Sequence, residues 1–378
     1  MITMYDITFK DVCLHEKTDR LGLMGGGLEM MMDIIENNQH TFGAAVVGLM
    51  RQVIDMLSKH CNEHEKFGLR LFDQNCIRDR MAQLTLDTFS LESLVYYVAG
   101  SVDDNPDIRN MDIENYVIQR FALDLLRDGI LSAMQVLGPA AAMHGHDFNR
   151  ILRDAITLPT LTVEHDTMCN WTAMAGVHAW MDGWNKRADF IRSRLRYPIV
   201  ERYTQLKLKD SYADPKFKHN LFQCVHPSLD PSVRLLEECM ERFELVVMQL
   251  WQRHGARLED QHIVLKRVSE CVSHMLIALV VTARASRAYS IGLKHHETEL
   301  MFAHTISLES TRAVRAILEN ILDYRLLNLH TDESIQMVAH TVMRHKGYPL
   351  KSPLHYELEQ PKERKRLTRQ EMYERMQW

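Results

Sequence analysis

The stretch Asn75–Gly100, NCIRDRMAQLTLDTFSLESLVYYVAG, decides the fold. Within it Ile77, Met81, Leu84, Thr88, Leu91, Val95 and Val98 recur at spacings of four and three, the repeat that lines one face of an α-helix. A helix this long with one apolar stripe needs long antiparallel neighbours, so the pattern predicts a bundle. Outward from it, a helix is expected from Leu28 to about Ser58, after Gly25, Gly26 and Gly27. Another, capped by Asp112, should stop at Gly138-Pro139, where Gly accepts the turn and Pro lacks a donor. The segment from Asp166 to about Arg196 also reads as helix. Tyr197-Pro198, Asp214-Pro215 and His226-Pro227 then break the pattern and mark a connector. Past it, Asp230-Pro231-Ser232 opens a helix to His254, and Val264, Val268, Cys271, Met275, Leu279 and Ala283 form a second stripe. Further helices start near Glu297 and Asp332.

The expected fold class is therefore mostly α, two helical bundles in series with a short β segment at the start. Tyr5, Ile7 and Phe9 alternate with Asp6, Thr8 and Lys10, the period of a strand, and such a strand needs partners from elsewhere. On that reading the chain is expected to begin inside a domain. The expected divisions are 1–24 for the β segment, 25–183 for a first four-helix bundle and 184–226 for the connector. A second helical domain takes 227–347, and a charged tail, 348–378, should fray.

Composition narrows the function classes. A chain of 378 residues, 46% hydrophobic and 25% charged, has a globular make-up, and 16 Gly with 10 Pro supply few of the turns an all-β protein needs. A net charge of -5 gives no global electrostatic case for nucleic acid. Seven widely spaced cysteines, without a C-x-x-C pair, read as reduced and mostly buried thiols. The longest apolar run, Met275–Val281, is far short of the ~20 residues needed to cross a bilayer. Met1–Asp11 has neither the apolar core of a secretory signal nor the Arg-rich character of a presequence. His60 and His64 sit one helical turn apart near Glu63 and Glu65, but no third ligand is indicated, and no metal site is expected; the same holds for His144 with His146 and for His295 with His296. Nucleophile-elbow, Walker and dinucleotide-binding patterns are lacking.

One local asymmetry stands out. Between Trp184 and Asn220 lie ten Lys/Arg and four Asp/Glu, a local +6. Trp184, Ala188, Ile191 and Leu195 fall on one helical face, with Lys186, Arg187, Arg192, Arg194 and Arg196 mostly elsewhere, which suits an acidic partner or a membrane surface. A bundle helix with a solvated basic face fits equally well.

Several motifs, in order, resemble the acyl-CoA dehydrogenase family. Leu21-Gly22-Leu23-Met24-Gly25-Gly26-Gly27-Leu28 looks like the glycine loop that ends its central β-domain and starts its C-terminal bundle. Glu65-Lys66-Phe67-Gly68 resembles the R-x-Q-F-G turn. Gln135 to Gly138-Pro139, followed by Arg150, Arg153 and Asp154, resembles Q-x-L-G-G and R-x-x-R-D. His226-Pro227-Ser228-Leu229, Val264-Leu265-Lys266-Arg267-Val268, Arg284-Ala285-Ser286-Arg287 and Ile291-Gly292-Leu293 look like the added domain of the very-long-chain branch, most of all the family-member-9 type. The resemblance implies the end of the β-domain, a flavin-side bundle and the extra helical domain.

It also implies FAD as cofactor, with His64, Phe67, Gln135 and Gly138 at cofactor-binding positions. His64 and Lys66 replace the family's Arg and Gln, and Pro139 replaces a glycine, deleting an N–H. In the family a glutamate in E-G-T after R-x-x-R-D removes the substrate α-proton. Ungapped counting puts Thr162 there, and a hydroxyl is a poor base near neutral pH; Glu164 lies two residues on, followed by His165 and Asp166 where G-T is usual. The resemblance thus implies a mitochondrial homologue with degenerate catalytic and flavin positions, acting as a helical scaffold in respiratory complex I assembly. The alternative is part of a FAD-dependent long- or very-long-chain acyl-CoA dehydrogenase of fatty acid β-oxidation, with Glu164 as base. Implied partners are a second copy in a homodimer, an assembly-factor protein or the inner-membrane surface, and long-chain acyl-CoA if the chain is catalytic; no nucleic acid is implied.

Overall fold

In a computed structural model, residues 5–15, 18–104, 111–143, 145–178, 219–323 and 331–350 are described. The described chain is helical: α1 (Gly27–Asn37), α2 (Gln39–Glu63), α3 (Asn75–Asp104), α4 (Asp112–Leu137), α5 (Asp147–Thr157) and α6 (residues 165–178). Later come α7 (Asp230–His254), α8 (His262–Ile291), α9 (His296–Asp323) and α10 (Thr331–His345). Two two-residue strands, β1 (Glu65–Lys66) and β2 (Leu69–Arg70), pair antiparallel through a turn at Phe67 and Gly68, both with positive φ. That turn is the one hairpins favour, and Phe67 occupies it at a steric cost glycine avoids.

α3 justifies its stripe. Ile77, Leu84, Leu91, Val95 and Val98 are buried, Met81 is half-buried, and Thr88 satisfies its hydroxyl by donating to the Leu84 carbonyl at 2.7 Å. The helix packs against α2, α4 and α8. α2 can approach closely because position 43 is glycine: a Cβ there would lie 2.6 Å from Ile118 and 2.8 Å from Val95.

Four expectations need correction. The single helix expected over Leu28–Ser58 is two, because Asn38 and Gln39 turn their side-chain amides onto the carbonyls of Ile34 (3.1 Å) and Ile35 (2.7 Å), closing α1. Asp112 is the first residue of α4, after Met111, and not its cap. The α8 stripe holds at Val268 and Cys271 but leaves Leu279 and Ala283 exposed. Successive steps of four rotate a face by about 40° each, and the buried line passes instead through Ile277, Val281 and Ala285. Finally, Tyr5–Lys10 forms no strand: Tyr5, Ile7 and Phe9 are exposed, and no neighbour among the described residues offers them a ladder.

The helical halves share their interior. One core joins Val46, Leu91 and Ile118 with Leu229, Ile277, Val281 and Ala303; a second joins Ala173 and Val177 of α6 with Val246, Leu265 and Val314. Polar contacts reinforce the seam: the Arg284 guanidinium lies 4.2 Å over the Phe89 ring, donates to Ser93 Oγ at 3.0 Å and stands 3.5 Å from Glu92. The helix α10 belongs to a separate unit and is exposed from Glu333's neighbour Ser334 onward. No helix among the described residues is long and apolar enough to cross a membrane.

Candidate functional site

The loop after α5 is where the resemblance places chemistry. His146 accepts from Phe148 N at 3.2 Å and starts α5; a 3₁₀ turn, Leu158–Leu161, follows its end. Thr162 closes that turn by donating its hydroxyl to the Pro159 carbonyl at 3.2 Å. Gln119, fully buried on α4, donates to the Val163 carbonyl at 3.1 Å and pins the loop to the bundle. Glu164 then supplies a backbone acceptor to Met168 N, 3.0 Å away, at the start of α6, while its side chain is exposed.

The cofactor positions are spread along surfaces. Phe67 is fully exposed at the hairpin tip, and Gln135 is exposed on α4. His64, also exposed, stacks on His60 with ring centroids 3.9 Å apart and approaches the His60 carbonyl through Nδ1 at 3.1 Å, so the two rings lie on each other instead of converging on a shared point. Gly138 has φ +61 and ends α4, with Pro139 in the following turn. These residues line neither cavity described below. Trp184, Lys186, Arg187, Arg192, Arg194 and Arg196 lie outside the described residues, as does His144.

A polar cluster the sequence did not announce lies beside the loop. Asp124 of α4 stands 3.0 Å from His165 Nε2, 3.0 Å from Arg127 and 3.6 Å from Arg120. The imidazole contact is an ion pair off the N–H axis rather than an aligned hydrogen bond. On the other side of the ring, Nδ1 is 3.8 Å from Cys169 Sγ and 3.5 Å from Asp166. Burial works against the Asp124 carboxylate, but His165 and the two arginines outweigh it and hold the group below its ordinary range. Arg120, nearly buried, reaches across to α8, donating to Ser273 Oγ at 2.6 Å, with Glu270 at 4.0 Å. Cys169 lies on the helix expected from Asp166 and His165 stands four residues earlier, just ahead of it, a visible hint; Asp124 is distant in sequence and gives none.

Two cavities flank the cluster. One of about 320 Å³ lies between α3, α4 and α8, with Arg80, Asp87, Asp124, Arg127, Glu270 and His274 in its wall. Burial pushes Asp87 up to about 6 and His274 down to about 4. The other, about 380 Å³, lies between α6 and α8.

The cluster carries a pH signature. Asp124, then Cys169, push His165 up to about 10 against the opposing effect of burial. An unfolded histidine titrates near about 6.5, so this stabilisation is complete below that pH and is lost as pH rises towards 10. Raising the pH from 7 to 10 is expected to remove on the order of 1–2 kcal/mol through this half-buried group, allowing for solvent screening. Urea midpoints against pH should show that component in the native chain and not in His165→Gln; parallel curves would refute the assignment.

The family profile "Acyl-CoA dehydrogenase, C-terminal domain" matches residues 25–174, and "ACAD9/ACADV, C-terminal domain" matches 227–348. The human very long-chain specific acyl-CoA dehydrogenase, mitochondrial, is 24% identical over 302 residues, covering 78% of this chain and 45% of the relative. The isovaleryl-CoA dehydrogenase of Oryza sativa subsp. japonica is 27% identical over 143 residues, 38% of this chain and 34% of its own length. A Bacillus anthracis acyl-CoA dehydrogenase solved in complex with FAD shares the fold with a TM-score of 0.63 at 15% identity, over 88% of this chain and 56% of that one. Caenorhabditis elegans ACDH-11, solved with C11-CoA, does so with a TM-score of 0.52 at 12% identity, over 77% and 45%. The chain spans about 45% of the length of the very-long-chain relatives it matches. The two profiles, in the same order as the helical halves, together take in more than two thirds of the sequence, and the chain belongs to the acyl-CoA dehydrogenase family, matching the C-terminal portion of its very-long-chain type.

Proposed function

We propose that this chain works as a helical scaffold of acyl-CoA dehydrogenase descent, in mitochondria, in the assembly of respiratory complex I. The observation that supports this reading is the loop after α5. Its ungapped catalytic position is Thr162, whose hydroxyl is engaged with the Pro159 carbonyl, and the nearest carboxylate, Glu164, is exposed at the start of α6 and lines neither cavity. A general base must reach the proton it removes and sit where burial can tune it. The exposure of His64, Phe67 and Gln135, at the positions the family likeness implies for FAD, supports the same reading. The shared core of the two helical halves gives a continuous body for docking, and the basic connector with Trp184, Lys186, Arg187, Arg192, Arg194 and Arg196 is the proposed contact for an acidic partner. The mitochondrial setting rests on the names of the very-long-chain relatives, and a homodimer on family likeness.

Depleting the chain from cells and following complex I by native electrophoresis tests the reading. Assembled complex should fall, the unaltered chain and Glu164→Ala should restore it equally, and reversing the charges at Arg192, Arg194 and Arg196 should not. Rescue that fails with a folded Glu164→Ala chain would favour a dehydrogenase with Glu164 as base instead.

A further inference from the structure

We propose that Cys169 is a peroxide-reactive thiol, its sulfur held by His165 with the Asp124 carboxylate behind the ring and approached through the cavity between α6 and α8. The cavity wall includes Cys169, Asp166 and Asn170 on one side and His262, Ile263 and Lys266 on the other. Cys169 is 1% exposed, so a small neutral oxidant such as hydrogen peroxide can reach it while bulky reagents are hindered.

The charges around the sulfur set its chemistry. On its own helix are His165 and Asp166; from α4 come Arg120, Arg127 and Asp124; from α8 come Glu270, and Lys266, whose Nζ is 3.7 Å from Asp166. Burial disfavours the thiolate, but the His165 hydrogen bond and the charges of Arg120 and His165 prevail and hold the thiol below its ordinary range. The other buried thiols lack this: burial raises Cys61, Cys239 and Cys271. Since the thiolate is the nucleophile, Cys169 is chemically set apart from the chain's other buried cysteines.

The step balances with hydrogen peroxide as oxidant. The thiolate sulfur attacks one peroxide oxygen; the S–O bond forms as the O–O bond breaks. The departing hydroxide takes the proton from the His165 imidazolium and leaves as water. Sulfur is oxidised by two electrons to a sulfenic acid, and peroxide is reduced.

The test treats the full chain with substoichiometric hydrogen peroxide, removes the excess, unfolds the chain in denaturant containing dimedone so that every sulfenic acid is open to the trap, and quantifies all seven cysteines by mass spectrometry. Cys169 should be labelled about tenfold faster than the exposed Cys13, Cys76 and Cys224, and His165→Gln should slow it by about tenfold. Labelling of the exposed cysteines at an equal or higher rate, or a folded His165→Gln chain within twofold of the native rate, overturns the proposal. The unmodified chain offers an independent reading should the variant not fold. Between pH 8 and 6 an ordinary thiol loses about tenfold in rate per pH unit, whereas the rate at Cys169, a thiol held below that range, should fall less steeply. A decline parallel to that of Cys76 counts against it.

Discussion

Replacing Arg120 by methionine is expected to lower the stability of the folded chain by about 3 kcal/mol, with an unchanged dependence on denaturant. The guanidinium is nearly buried and joins α4 of the first helical half to α8 of the second. It donates to Ser273 Oγ at 2.6 Å, points toward the Ser269 carbonyl at 3.5 Å, and sits between the carboxylates of Asp124 and Glu270. Removing one member of a buried charged network leaves the rest uncompensated, which costs more than the network's own net worth. Asp124 retains Arg127 and His165, and this keeps the estimate at the lower end of the usual range. Arg120→Lys keeps the charge without the fork and should recover only part of the loss. Urea unfolding of the three proteins measures this; a loss under about 0.5 kcal/mol for the methionine variant would mean the seam between the halves does not depend on Arg120.

The second large effect is expected at Glu237. Its side chain is fully buried on α7, and its carboxylate receives three backbone N–H groups: His219 at 2.7 Å, Asn220 at 2.8 Å and Leu221 at 3.3 Å. Asn220 has φ +50, so the chain there turns through a left-handed residue into the short 3₁₀ turn Leu221–Gln223, and the successive donors converge on one anion. Glu237→Ala leaves those donors without an acceptor and should cost about 2–4 kcal/mol. Glu237→Gln keeps an acceptor oxygen and should recover about half. Thermal unfolding gives the totals. Hydrogen exchange at His219, Asn220 and Leu221 should accelerate in the alanine variant before the bundle opens, and unchanged protection there would contradict the role.

Both effects join residues far apart in sequence, which marks the limit of what sequence alone reveals. The α3 stripe was legible because its period is local, and so were the opening of α7 at Asp230-Pro231 and the stop of α4 at Gly138. The break at Asn38 was missed because an amide competing for backbone carbonyls leaves hydrophobic periodicity intact. The drift of the α8 face escaped because α3, α4, α7 and α9 bury it on several sides. At the candidate site, Thr162 and Glu164 could be placed by motif order, but whether a carboxylate faces a cavity depends on the turn between Leu158 and Leu161. The pairing of Asp124 with His165 and Cys169 depends on how α6 lies against α4, and no local pattern encodes it.

The most direct test of the scaffold reading is anaerobic titration of the purified chain, incubated with FAD and freed of excess, with long-chain acyl-CoA while the visible flavin band is followed. No stoichiometric flavin and no acyl-CoA-dependent bleaching are expected, in the native chain and in Glu164→Ala alike. A bound flavin that bleaches with acyl-CoA in the native chain, and fails to do so in Glu164→Ala, would contradict the scaffold reading.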